Sequence, residues 1–156
     1  MTVTQDIQTA SILHDFVIQN GKIVVQGLDY NQFEKLIDEH PELRLEREAN
    51  GNILLMAPIA GYGSEREGDL YFYLKLWLRK NKNGKAFGSN AGFILPNDEV
   101  RSPDVAWINN ESLEKLRAIY TGKGFIPIVP DFIIELRSES DRLPVLKQKM
   151  AETWIA

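Results

Sequence analysis

Two stretches of the chain place carboxylates where apolar side chains would be expected. "SPDVAWI" (102–108) and "PDFIIELRS" (130–138) each begin an apolar run with proline–aspartate, and the second also carries Glu135 near its end. Side chains two apart on a strand share a face, so Asp131, Ile133, Glu135 and Arg137 point one way. Asp131 and Glu135 are then about 13 Å apart along an extended strand, too far to share an ion. If the two strands are neighbours, Asp104 and Glu135 approach each other across roughly 5 Å of sheet spacing. Carboxylates that close repel unless a positive charge sits between them. A hard divalent cation suits such a pair, and Mg²⁺ accepts one or two carboxylates plus water. An ion held there could activate water and stabilise charge on a phosphodiester. The same residues have a plainer use: aspartates at strand entrances cap turns, and Glu135 can pair with Arg137 at a solvated edge.

The elements that must position these acids follow from periodicity and breakers. Residues 1–13 read as a flexible tail, and 14–156 as a single domain. Asp29 is a good N-cap for "YNQFEKLIDEH", in which Phe33, Leu36 and Ile37 recur at helical spacing. "LRLERE" alternates apolar and charged residues, "ANGN" is a turn signal and "ILLMA" follows, which predicts a hairpin over 43–57. Ser64 is placed to cap a long helix reaching about Lys82, with Leu70, Tyr73, Leu74, Trp77 and Leu78 on its buried face. Short strands are expected near 86–89, 92–96, 102–109 and 131–137, with a short helix at "NESLEKLRAIY". A last helix begins at Pro144, an allowed first-turn proline. The order predicts an α+β protein with a central mixed β-sheet flanked by helices, preceded by an N-terminal helix and a β-hairpin.

Composition excludes several chemistries. The chain has 156 residues and no cysteine, so disulfides, thiolate metal sites and cysteine nucleophiles are ruled out. Its two histidines, His14 and His40, are far apart, which argues against a Ser-His-Asp triad or a histidine-rich metal site. His40 falls at a predicted helix end, where a cation suits the dipole. A net charge of −4 argues against a protein that coats DNA nonspecifically, though not against an enzyme with a local basic rim. No apolar run is long enough to span a membrane, and the N-terminus lacks a signal-peptide layout, so a cytoplasmic protein with no membrane partner is expected.

Taken in order, "RSPDVAWI", "PDFIIELRSESD" and "LKQKMAE" resemble the Uma2 family, a branch of the PD-(D/E)XK nuclease superfamily. The likeness covers residues from about 30 onward and is strongest over 101–152. It implies a restriction-endonuclease-like core and a Mg²⁺-dependent endonuclease acting on DNA, with Mn²⁺ as a substitute metal and a homodimer as the assembly. By the same resemblance, Asp104 and Glu135 are metal-binding acids and the main-chain carbonyl of Leu136 faces the metal. The superfamily's lysine two residues after the acid is replaced here by Arg137, a poor general base. Lys149 matches the lysine that Uma2 proteins carry on the next helix, where it would orient or deprotonate water. With Leu146, Met150 and Trp154 as the buried stripe, Lys147 and Lys149 both flank it. Glu67, three residues before Leu70, matches an auxiliary acid on the first long helix; an acid favoured in a helix's first turn is its alternative use. The resemblance also implies further strands beyond residue 156. Two other functions share these residues: a catalytically inactive fold serving as a binding or assembly module, and a hydrolase of small phosphoesters.

Overall fold

The computed structural model describes residues 16–19, 22–25, 27–56, 58, 61–137 and 142–154, so the tail at 1–13 lies outside the described residues. The chain divides into two compact units, Met1–Pro58 with Ile94–Arg101, and Ile59–Phe93 with Ser102–Ala156.

The first unit is built on an antiparallel sheet. Strands β1 (Phe16–Gln19) and β2 (Lys22–Val25) pair with each other, ahead of the helix with which the sequence reading begins. Helix α1 (Tyr30–Glu39) starts where the sequence predicts: Asp29 accepts the Gln32 N–H at 2.8 Å, and the Gln32 side chain returns the bond to the Asp29 N–H at 2.9 Å. This reciprocal box satisfies two donors that a helix start leaves open. His40 is the C-cap, and Phe33 is fully buried.

The predicted hairpin is β3 (Leu45–Arg47) and β4 (Ile53–Leu55), closed at Gly51 with φ +86°. With β6 (Phe93–Ile94) and β7 (Val100–Arg101), the sheet order is β1-β2-β4-β3-β7-β6. The alternation in "LRLERE" does not put its charges in water. Glu46 and Arg47 are both buried, each with its own partner: the Arg101 guanidinium of β7 donates to Glu46 at 3.2 Å and to Glu99 at 3.0 Å, and Arg47 donates to the Asp98 carbonyl at 2.8 Å. Burial opposes the Arg101 charge, but the hydrogen bond to Glu99 and the charges of Glu46 and Glu99 outweigh it and raise its pKa above the ordinary value.

The second unit carries the candidate chemistry. Helix α2 (Gly61–Asn81) begins before Ser64, which therefore lies inside the first turn rather than capping it. Its buried face is also narrower than the spacing predicts. Leu78 is buried and Leu70 and Leu74 half-buried, whereas Tyr73 and Trp77 are exposed, beside exposed Phe72 and Leu76. Trp77 instead meets Trp107 edge-on, with ring centroids 5.9 Å apart.

The helix turns into β5 (Lys85–Gly88) through Lys82 and Gly84, both at positive φ. A methyl group on Gly84 would lie 2.0 Å from the Ile108 carbonyl oxygen, so only glycine fits this close approach. Strands β5, β8 (Val105–Ile108) and β9 (Phe132–Ile134) form an antiparallel sheet in that order. Helix α2 packs on β5 and β8. Helix α3 (Asn110–Ile119) is capped by Asn109, which accepts the Ser112 N–H at 2.9 Å. Leu113 and Leu116 of α3 join Ala106, Ile108, Phe93 and Ile126 in one apolar core. Helix α4 (Leu143–Trp154) ends the described chain. The result is α+β, with antiparallel sheets and helices.

Candidate functional site

The β8–β9 pairing decides which acids can meet. Val105 stands opposite Ile134 and Ala106 opposite Ile133. One step beyond Val105, the same register brings Asp104 opposite Glu135. Directly opposed residues share a face with Cβ atoms about 5 Å apart. Beyond the last paired residues the two chains are held by the acid itself: Asp104 Oδ2 accepts the main-chain N–H of Leu136 at 2.6 Å. Pro103, immediately before Asp104, is fully buried and fixes the entry of this strand. Asp104, Glu135 and Leu136 are each half-buried, so the pair is neither sealed in the core nor free on the surface.

The two aspartates that follow proline have different surroundings. Asp131 accepts the N–H of Asn109 at 2.8 Å, the Asn109 side-chain amide at 2.8 Å and the Ser112 hydroxyl at 3.0 Å. It thereby ties the start of β9 to the start of α3, the turn-capping role that its position allows. Asp131→Ala should therefore cost about 1–2 kcal/mol of stability and leave the activity of the folded protein unchanged. Chemical denaturation alongside an activity assay checks this, and lost activity in a well-folded variant would draw Asp131 into the site.

The remaining candidates sit on helices. Glu67 lies on α2 and is half-buried, while Glu65 and Asp69 are exposed. Glu67 lines a pocket with Tyr71 and the turn Gly88–Ala91. Lys149 lies on α4, but its side chain falls outside the described residues; Lys147 on the same helix is exposed, and Leu146, Met150 and Trp154 form a half-buried stripe. Arg137 is exposed. Leu136 meets Asp104 through its main-chain N–H. Among the described residues no group of three or more histidine, cysteine, aspartate or glutamate side chains converges on one point. The two acids could offer carboxylate oxygens to a cation, donors that suit a hard divalent ion rather than a softer one.

The sequence reading missed the pocket itself. "GSNAG" is legible only as a turn, and Tyr71 only as one helical residue between two of the predicted apolar stripe.

The family model for Uma2, described as "Putative restriction endonuclease", matches residues 29–152. The chain belongs to the Uma2 family. The matched span includes every candidate residue above, and the Uma2 description supports a nuclease-like function. No curated protein matches the chain significantly. No described helix of this Uma2 protein is long and apolar enough to cross a membrane.

Proposed function

We infer that this Uma2 protein is a metal-dependent endonuclease hydrolysing phosphodiester bonds in DNA. The observation that carries this reading is the register of β8 and β9, whose continuation one step past the Val105–Ile134 pair sets Asp104 opposite Glu135, with the Asp104 carboxylate fixed by the Leu136 N–H at 2.6 Å. A carboxylate anchored by a main-chain donor keeps its orientation, which pre-organises it for a metal. Asp104 and Glu135 would hold Mg²⁺ or Mn²⁺, with the Leu136 carbonyl and Glu67 as further oxygen donors. When bound, such an ion supplies a nucleophilic water near neutral pH and Lewis acidity toward the phosphate. Lys149 is assigned to orient or deprotonate that water. Arg137, permanently charged, is suited to holding a phosphate oxygen rather than to taking a proton. A homodimer, bringing one site to each strand of a duplex, completes the reading.

Incubating the full chain with plasmid and linear DNA in Mg²⁺, with EDTA as control, tests it. Cleavage is expected with metal alone, and Glu135→Ala should remove it. Cleavage that persists in EDTA or in Glu135→Ala would sink the assignment. No cleavage of any substrate would favour the alternative, a retained fold that binds or assembles without catalysis.

A further inference from the structure

The pocket beside the paired acids has a volume of about 310 Å³, at the small end for a ligand site. Its walls are Glu67, Gly68 and Tyr71 from α2, and Gly88, Ser89 and Asn90 from the end of β5. All six belong to the second unit.

Two of these residues are glycines with open space where a side chain would stand, as Gly61 has outside the pocket. Gly68 sits in the interior of a 21-residue helix, where glycine is less favourable than alanine by about 1 kcal/mol. A methyl group built on Gly68 meets nothing within 4 Å, and the same is true of Gly88. Neither has the positive φ that demands glycine elsewhere in this chain. Gly84 is required by a carbonyl 2.0 Å away, whereas a Cβ on Gly68 or Gly88 would meet nothing among the described residues. Both border the same empty space.

The lining says what the space would take. Among the described residues that line it there is no cation, and the one formal charge is the Glu67 carboxylate, so apart from a metal held by Glu67 nothing there would attract a phosphate. It offers an aromatic face in half-buried Tyr71 and an amide, on Asn90, that both donates and accepts hydrogen bonds. That combination fits a nucleobase, whose face stacks on aromatic rings and whose edge pairs with amides.

The position agrees with the chemistry. Gly88 is paired with Val105, the residue after Asp104, so Ser89 leaves the sheet next to Asp104. Neighbouring strands are about 4.8 Å apart, and successive nucleotides of one strand advance about 3.4 Å. A phosphate at Asp104 and Glu135 therefore has the adjoining base within reach of Tyr71.

We propose that the Tyr71–Asn90 pocket is a nucleobase subsite, and that the substrate is a nucleic acid with an unpaired nucleotide beside the scissile phosphate. A base stacked on Tyr71 has left its own helical stack, so single strands, bulges and frayed ends enter, and intact duplex must first surrender a base. The proposal rests on the nuclease reading of the neighbouring acids.

Fluorescence anisotropy of labelled oligonucleotides with the full chain, using Ca²⁺ in place of Mg²⁺, tests it. A single strand and a duplex with a one-nucleotide bulge should bind on the order of tenfold more tightly than the fully paired duplex. Tyr71→Ala should erase that preference and Tyr71→Phe should keep it. Gly68→Leu should also erase it, and because leucine favours the helix, its urea midpoint should not fall below that of the wild type. Equal affinity for paired and unpaired substrates, or full binding by Tyr71→Ala, would overturn the subsite while leaving the nuclease reading intact. Binding of no nucleic acid in any form would overturn both.

Discussion

Asp104→Asn is expected to lower metal-dependent cleavage on the order of a thousandfold or more while leaving the protein as stable as the wild type. Asparagine keeps a side-chain oxygen where Asp104 Oδ2 accepts the Leu136 N–H at 2.6 Å, so the link between β8 and β9 survives. What it removes is the negative charge that a divalent ion would need. In metal-free buffer, the loss also relieves repulsion between this residue and the opposed Glu135. Asp104→Ala should lose cleavage to the same degree but behave differently on unfolding. It strips the half-buried Leu136 N–H of its acceptor, at a cost of about 1–3 kcal/mol. The pair of variants thus separates charge from structure: equal in cleavage, unequal in urea midpoint. Cleavage retained by Asp104→Asn would remove this residue from the chemistry. Equal midpoints for the two variants would mean that the Leu136 bond does not hold the strand ends together.

What the sequence revealed and what it hid divide by distance along the chain. The α1 cap was legible because Asp29 and Gln32 are three residues apart and the bonds they make are local. The hairpin around Gly51 was legible for the same reason. Ser64 misled because a cap is worth only about 1 kcal/mol, and residues 61–63 are helical before it. The paired strands β1 and β2 were passed over, although Asn20-Gly21 between "FVIQ" and "KIVV" is a hairpin signal. Helical spacing placed Tyr73 and Trp77 on an apolar stripe, but spacing cannot show how wide a surface meets that stripe. The acids lay at an intermediate level: residue types flagged Asp104 and Glu135, but their opposition depended on β8 and β9 being neighbours, a non-local fact. The pocket was hidden entirely. Tyr71 and Asn90 are brought together by α2 packing on β5, and no local pattern records that.

Arg101→Ala should produce the largest loss of stability, about 3–5 kcal/mol, through residues that no chemistry requires. Arg101 is 6% exposed, Glu46 2% and Glu99 9%, and the one guanidinium bonds both carboxylates. Its removal takes from both buried carboxylates the cation that they share. Arg47 is one candidate substitute, since it stands on β3 opposite Val100, the residue before Arg101. It is already committed: its Nη1 donates to the Asp98 carbonyl at 2.8 Å and its guanidinium lies 5.6 Å from the Tyr30 ring centroid. Swinging toward Glu46 would abandon both contacts, so it should recover little. Uncompensated buried charge and a missing attraction would both lower stability, and the two can be told apart by measurement. Adding Glu46→Gln and Glu99→Gln to Arg101→Ala removes the charges and should restore part of the lost stability, although it deletes still more native ion pairing. If the triple variant is less stable than Arg101→Ala, the attraction itself contributed more than the stranded charge. Because none of these residues belongs to the candidate site, cleavage per folded molecule should match the wild type in every variant. That sets this result apart from Asp104, where activity is expected to vanish from a protein that remains folded.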